Sequence, residues 1–460
     1  MDGTPEQVNH LSLEGMHGSV VVPNSRAGFW RQWRAFAGPA ILISVGYMDP
    51  GNWGTDLQGG AQFQYRLLWV VAAASGMAIF LQVISARLGV VTGKDLAQCC
   101  RDWYPKWTRW PNWLLCEIAI GACDLAEVLG SAVAINLLFH VPLLWAVFIT
   151  GFDVLLLLAL QGLGMRTIEA VVGVLVGTIA VCYAIELFVL PQVRPDLTGL
   201  AHGMIPNLSQ EGMKGLAIMI IGATVMPHNL YLHSALVQSR KFQRDEASIR
   251  KALRFNTIDS TVALCVAFLI NAAILVLAAV VFYGKQSVRV AGGQVIPFDS
   301  NSDWIRIAYL TLAPLMATAV ASTLFAIGLL ASGQSSTITG TLAGQVVMEG
   351  FMHWRLRPWV RRLITRGLAI LPAVFVIGIR GEKNSVNDLI NLSQAVLALQ
   401  LPFAMFPLLH FTSSKARMGQ WRLGTWLLIA GWGSALLITA MDIYAMPDTL
   451  KDAWKVIVGG

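Results

Sequence analysis

Apolar residues in this chain gather in long runs rather than alternating with polar ones, and each run is about the 20 residues that a helix needs to cross a bilayer. Eleven runs are legible, at 36–62, 66–91, 112–139, 142–160, 167–190, 212–238, 254–283, 305–345, 359–379, 386–411 and 421–446. The pattern predicts an all-α membrane protein with eleven transmembrane helices. Residues 1–35 precede the first run. They are polar, without periodicity, and lack the apolar stretch and small-residue cleavage site of a signal peptide, so a disordered tail is expected there.

Composition strengthens that picture. Hydrophobic residues make up 55% of the chain and charged residues 13%, against about 25% charged in an average soluble domain. The net charge of +7 follows from where the basic residues fall. Polar segments on the side of the N-terminus carry roughly twice the Lys and Arg of those on the other side, so the positive-inside rule places the N-terminus in the cytoplasm. An odd number of spans then puts the C-terminus outside, and the charge is no sign of a nucleic-acid partner. The six cysteines show no CxxC spacing and give no support to a disulfide framework or zinc knuckle. Trp53, Trp69, Trp113, Trp145 and Trp359 fall near run ends, as interface anchors do.

Two runs are interrupted. In "ISVGYMDPGNWGTDLQGG" (Ile43 to Gly60), Asp49, Pro50, Gly51 and Asn52 stand in consecutive positions of the first run. An unpaired carboxylate at mid-membrane costs at least about 2.5 to 3.5 kcal/mol. Pro50 removes a backbone donor and Gly51 adds freedom to unwind. The helix is expected to break over Asp49 to Asn52, exposing carbonyls and N–H groups that a membrane tolerates only where they line water or bind something. A plain proline kink is the simpler reading of one such run, but the sixth repeats the feature. In "MIIGATVMPHNLYLHSAL" (Met219 to Leu236), Pro227 is flanked by Met226, His228 and Asn229. Runs one and six open two five-span halves of opposite orientation, 36–190 and 212–411, with 421–446 as an extra span. Matched interruptions in such halves point to an inverted-repeat transporter with its site at the midplane. Asp49 and Asn52 offer hard oxygens and Met226 a soft thioether, a mixed set that favours a divalent transition metal.

Run three, "LLCEIAIGACDLAEVLGSAVAI" (Leu114 to Ile135), adds Glu117, Asp124 and Glu127 within an arc of about 80° on one helix face. Carboxylates strung along a buried face can relay protons; they can equally be structural ion pairs, for which Arg361 and Arg362 are the nearest candidates. Spacing alone leaves both open.

The "DPGN" of run one, the "ATVMPHNLYLHS" of run six (Ala223 to Ser234), the "CDLAEVLGSAVAINLL" of run three (Cys123 to Leu138) and the "LLASGQSS" of run eight (Leu329 to Ser336) resemble the natural resistance-associated macrophage protein (NRAMP) family of divalent metal transporters, in its bacterial proton-coupled manganese branch. The resemblance spreads over runs one to ten. It implies a leucine-transporter-type fold of two inverted five-helix repeats plus one C-terminal helix. It implies import of Mn2+, and with it Fe2+, Co2+ and Cd2+, with protons by alternating access across a bacterial inner membrane. The implied metal ligands are the Asp49 carboxylate, the Asn52 amide oxygen, the Met226 sulfur and the Ala223 carbonyl, with Gln394 of "NLSQAVLAL" joining in some states. The implied proton route runs through Asp49, His228, Glu127, Asp124, Arg361 and Arg362. A backbone-ligand position three before the aspartate, often Ala in relatives, is Gly46 here. Relatives that carry Mg or Al differ at Met226, so its presence implies transition-metal selectivity.

The expected partners are the metal ion, the proton and the lipid bilayer, with no resident cofactor and the protein a monomer. Two other classes compete. One is a sodium-coupled transporter of amino acids or other organic solutes on the same fold, whose half-helix N-termini would receive a substrate carboxylate. The other is an intramembrane metal-dependent enzyme, but no HExxH or GxSxG signature lies in a run.

Overall fold

The computed structural model describes residues 17–22, 28–153, 155, 165–185, 195–285, 287–289, 295–297, 304–316, 319–381 and 385–458. In chain order the helices are α1 (Phe29–Phe36), α2 (Pro39–Gly46), α3 (Pro50–Phe63), α4 (Leu68–Thr92), α5 (Leu96–Trp103), α6 (Arg109–Phe139), α7 (Leu143–Thr150), α8 (Met165–Ala184) and α9 (Leu197–Gly203). They continue as α10 (Met213–Thr224), α11 (Pro227–Leu236), α12 (Glu246–Phe282), α13 (Trp304–Met316), α14 (Ala319–Met352), α15 (Pro358–Arg380), α16 (Ser385–Ser413), α17 (Lys415–Met418) and α18 (Thr425–Val458). Two short pairs of strands accompany them: β1 (Val20–Val21) lies parallel to β2 (Arg240–Lys241), and β3 (Ser287–Arg289) antiparallel to β4 (Val295–Pro297).

Among the described residues, eight helical stretches are long and apolar enough to cross a membrane. Their outer faces carry the apolar surface that lipid would cover: Leu363, Leu368, Leu371 and Phe375 on α15 and Trp426, Ile429, Leu436 and Leu437 on α18 are all exposed. This is an all-helical, multi-pass membrane protein. Three expected runs are absent from the eight for separate reasons. Run one is divided into α2 and α3, of 8 and 14 residues. Run four is described only as far as 155; 154 and 156–160, like 186–190 of run five, lie outside the described residues. Run eight differs from expectation. One helix over 305–345 would be about 60 Å long, twice the bilayer core, and the structure instead forms α13 and a separate α14 that reaches Met352. From Ser332 to Thr341, α14 is rich in Ser, Thr, Gln and Gly, and almost all of that stretch is buried.

The expected tail also differs. Residues 1–16 and 23–27 lie outside the described residues, but α1 is a helix and β1 a strand within the 1–35 span. Phe29, Trp33 and Phe36 recur at helical spacing, and Phe36 stacks on Phe255 of α12 with ring centroids 5.4 Å apart. Polar composition concealed that short amphipathic period.

The four half-helices α2, α3, α10 and α11 form the centre. Every residue of α11 and all of α3 except Gln62 are buried, so neither meets lipid. The break in run one lies at Tyr47–Asp49, slightly before its expected place. Asp49 is the N-cap of α3, accepting from the Asn52 N–H at 2.9 Å, and Pro50 takes the first helical position, where a missing N–H costs nothing. Run six repeats the arrangement, with Met226 as N-cap and Pro227 first in α11. Carbonyls freed at the first break are met by side chains: Asn271 Nδ2 donates to Tyr47 O at 2.8 Å, and Trp53 Nε1 and Ser332 Oγ donate to Met48 O at 3.0 and 2.5 Å. Asp259 of α12 accepts from the N–H groups of Gly38 and Ala40 at 3.3 and 3.0 Å, closing the start of α2.

Candidate functional site

The two breaks face each other, and one side chain joins them. Asn52 Nδ2 donates to Asp49 Oδ1 at 2.7 Å, to the Ala223 carbonyl at 3.0 Å and to the Gly46 carbonyl at 3.4 Å. Its Oδ1 accepts from Thr224 Oγ1 at 3.3 Å. One carboxylate and two carbonyls thus converge on a single amide nitrogen, an arrangement that a cation would satisfy more strongly. Turning that amide by half a revolution would bring Oδ1 to the cation and Nδ2 to Thr224. Asp49 Oδ2 is buried and has no hydrogen-bond partner among the described residues.

Two further expected donors pack on the same turns. Met226 Sδ lies 3.2 Å from the point where a Cβ on Gly46 would stand, and Gln394 Nε2 lies 2.1 Å from the corresponding point on Gly51. Only a glycine at 51 lets Gln394 lie so close to the break. Gln394 Nε2 donates to Ser393 Oγ at 2.8 Å, while its Oε1 has no partner among the described residues. The donors gathered here are therefore one carboxylate, two amides, a thioether and backbone carbonyls. Among the described residues no cluster of three or more His, Cys, Asp and Glu could hold a metal. His228, also buried, has an unpartnered Nδ1 among those residues.

The run-three acids meet their expected partners and two more residues. Arg361 donates to Glu117 at 2.7 and 3.1 Å. Arg362 donates to Asp124, to Glu127 at 3.4 Å and to Asp153 at 3.0 Å. Arg366 donates to Asp124 at 3.2 Å and also to Asp153. Glu127 accepts from Ser336 Oγ at 2.6 Å and Thr337 Oγ1 at 3.2 Å, both on α14. Ion pairing is thus present, and a small cavity with room for about one water lies beside Asp124, Glu127, Arg361 and Arg362. Sequence reasoning passed over Asp153 and Arg366. The signals were there: Asp153 is an acid inside an apolar run, and Arg366 is one turn beyond Arg362.

Helix α6 connects this network to the breaks. Cys123 shares a small buried cluster with Ala119, Met226 and Leu397, and its Sγ lies 3.7 Å from Glu127 Oε1. Three residues beyond Glu127, Gly130 leaves the space that Pro50 fills, since a Cβ there would stand 2.2 Å from the Pro50 ring. A second ion-paired group, with Arg240 and Glu169 buried and Arg166 exposed, sits at the start of α2. Arg240 and Arg166 both bind Glu169, at 2.6 and 3.1 Å, and both donate to the Ala37 carbonyl at 2.7 Å.

Comparison with known proteins places this geometry. The chain is 49% identical over 450 residues to the divalent metal cation transporter MntH of Nostoc sp., covering 97% of this chain and 98% of that one. The MntH protein of Listeria monocytogenes is 47% identical over 445 residues, with 96% of each chain covered. Among solved structures, a mutant of the Eremococcus coleocola manganese transporter superposes with a TM-score of 0.86 at 39% identity, over 96% of this chain and 92% of that one. The nucleobase-cation-symport-1 transporter Mhp1 superposes at 0.59 with 14% identity, over 91% and 92%, and so shares the leucine-transporter-type fold alone. The family described as natural resistance-associated macrophage protein-like matches residues 40–447, and with these relatives the chain belongs to that family.

Proposed function

We propose that this protein imports divalent transition metals, Mn2+ foremost, together with protons, by alternating access across a bacterial cell membrane. The observation that carries the reading is the convergence of Asp49 Oδ1 with the Gly46 and Ala223 carbonyls on one amide, beside the Met226 sulfur. The names of the Nostoc, Listeria and Eremococcus relatives support the choice of metal. In this reading Asp49, Asn52, Met226 and the Ala223 carbonyl hold the ion, and Gln394 joins when α16 closes on the break. Eleven spans form two inverted repeats, 36–190 and 212–411, with α18 added; the matched N-cap–proline starts of α3 and α11 support that symmetry. The basic residues favour a cytoplasmic N-terminus and an external C-terminus.

Binding and proton transfer share Asp49. The carboxylate must be ionised to hold the metal, so it gives up a proton as the ion arrives. Glu127 and Asp124 take that proton onward beside Arg362, with His228 next to Met226 and the Glu117–Arg361 pair farther along the acid face. A sodium-coupled amino-acid carrier fits less well. Its substrate carboxylate would sit at a half-helix N-terminus, and the N-terminus of α3 already holds the Asp49 carboxylate.

Purified protein in liposomes tests the reading. Mn2+ uptake accompanied by acidification of the lumen is expected; amino-acid uptake with no metal flux would overturn it. Selectivity is tested at Met226. With Met226→Ala, a water and an all-oxygen shell replace the soft ligand, so Ca2+ and Mg2+ should compete with Mn2+ while Mn2+ affinity falls on the order of tenfold, about 1.4 kcal/mol. Unchanged exclusion of Ca2+ and Mg2+ in competition uptake would remove the sulfur from the selectivity argument.

A further inference from the structure

Asn229 is a polar side chain at the breaks that neither the metal ligands nor the proton route uses. It stands at the third position of α11, is fully buried, and neither its Oδ1 nor its Nδ2 has a hydrogen-bond partner among the described residues. A carboxamide offers two donors and two acceptor lone pairs, and a folded protein seldom leaves all of them unmet in its interior.

Its neighbours show where the carboxamide lies. A Cβ on Gly46 would stand 2.2 Å from Asn229 Nδ2, 3.3 Å from Asn229 Cγ and 3.2 Å from Met226 Sδ. The amide therefore fills the space that any side chain at 46 would need, beside the sulfur ligand and over the residue whose carbonyl accepts from Asn52. Gly46 is an ordinary helical residue, absent from the glycines of positive φ, so backbone conformation does not demand a glycine there. In this chain it is the Asn229 carboxamide that uses the room a Cβ at 46 would take.

We propose that Asn229 is a specificity-determining residue of the cation site, its carboxamide binding a water that completes the coordination shell of a divalent transition metal, with Gly46 as the opening that lets it reach. The proposal rests on the metal-transport reading above. While Gln394 has not yet joined, Asp49, Asn52, Met226 and the carbonyls of Gly46 and Ala223 supply five donors, one short of the octahedral shell that Mn2+ adopts. A water in the open position needs an acceptor to orient it, and Asn229 Oδ1 is such an acceptor with no other engagement among the described residues. The cation in turn gives the orphaned carboxamide the partner that the protein alone does not.

The test uses the full-length protein in detergent, with Mn2+ as the probe, followed by calorimetry and by thermal unfolding with and without the metal. Asn229→Leu should weaken Mn2+ binding by about tenfold, the lower end of what losing a ligand's hydrogen-bond partner costs. The same variant should unfold at a higher temperature than wild type in the absence of metal, because an apolar group of similar size replaces an unmet polar one. Gly46→Ala, which pushes the carboxamide aside, should produce a comparable loss of affinity, and little further loss when added to Asn229→Ala. Should Asn229→Leu fail to fold, the Gly46→Ala and Asn229→Ala pair still decides. Wild-type affinity in both Asn229 variants would overturn the proposal, and so would fully additive losses in the double variant. A wild-type protein that binds no Mn2+ would instead strike the metal reading on which it rests.

Discussion

Asn in place of Asp49 is expected to abolish both Mn2+ binding and metal-driven proton influx. Asp49 is the one carboxylate among the gathered donors, and its Oδ2 has no partner among the described residues to hold it elsewhere. Removing it takes away the anionic ligand and the proton acceptor together, so the loss of affinity should exceed about 100-fold, beyond the range that outer partners of a ligand command. The fold should survive. Asp49 also caps α3, and Asn is an equally good N-cap, so its Oδ1 can still accept from the Asn52 N–H. A variant that folds and unfolds like wild type yet binds no metal is therefore the expected result. Calorimetry for binding and a trapped pH dye for proton influx check it, and wild-type-like Mn2+ uptake would remove Asp49 from the site.

The parts of this arrangement that could be read in the chain were those with a local cost. An acid and a proline inside an apolar run are expensive wherever the helices go, so Asp49-Pro50 and Met226-Pro227 announced the breaks before any neighbour was known. The break itself fell at Tyr47–Asp49 because proline at the first helical position starts a helix instead of merely ending one. Run eight was misread because hydropathy measures the apolarity of a stretch and is silent on where one helix stops and the next begins; length supplies that limit. The donors contributed by backbone, Gly46 and Ala223, have no side-chain signal, since every residue carries a carbonyl. They became identifiable once both breaks were placed opposite Asn52. Asp153 and Arg366 needed knowledge of packing. Their partners come from α6 and α14 as well as from each other, and no periodicity within one run reveals which runs are adjacent.

Knowing the packing separates variants that spacing alone would group. Asp124, Glu127 and Asp153 are three buried carboxylates facing two buried guanidiniums, Arg362 and Arg366. Two cations neutralise two acids, and a third buried charge without a counterion is costly, so under the proposed relay this cluster is where a proton is expected to be taken up and passed on. Glu127 meets Cys123 Sγ at 3.7 Å, and Cys123 belongs to the same small buried cluster as Met226. Glu127→Gln fixes that position as neutral while keeping one oxygen to accept from Ser336; the amide nitrogen takes the place of the oxygen that accepts from Thr337, whose hydroxyl can accept from it instead. Mn2+ binding should stay within about twofold of wild type, under ~0.5 kcal/mol, while metal-stimulated proton influx disappears. Asp124→Asn should act in the same direction.

The pH response of uptake gives the sign. External acid opposes metal binding by protonating Asp49 and favours transport by adding to the driving gradient; without the relay only the first effect is left, so uptake by Glu127→Gln should fall steadily as the outside is acidified. Arg361→Ala, which frees only the partly exposed Glu117, should alter the proton response mildly. Arg362→Ala leaves Arg366 as the one guanidinium facing three buried acids and should destabilise the protein by about 3 to 5 kcal/mol, so it reports on folding before it reports on protons. If Glu127→Gln and Asp124→Asn instead lose metal binding and proton influx in equal proportion while remaining folded, the acids serve only to hold α6 against α14 and α15, and the relay is excluded.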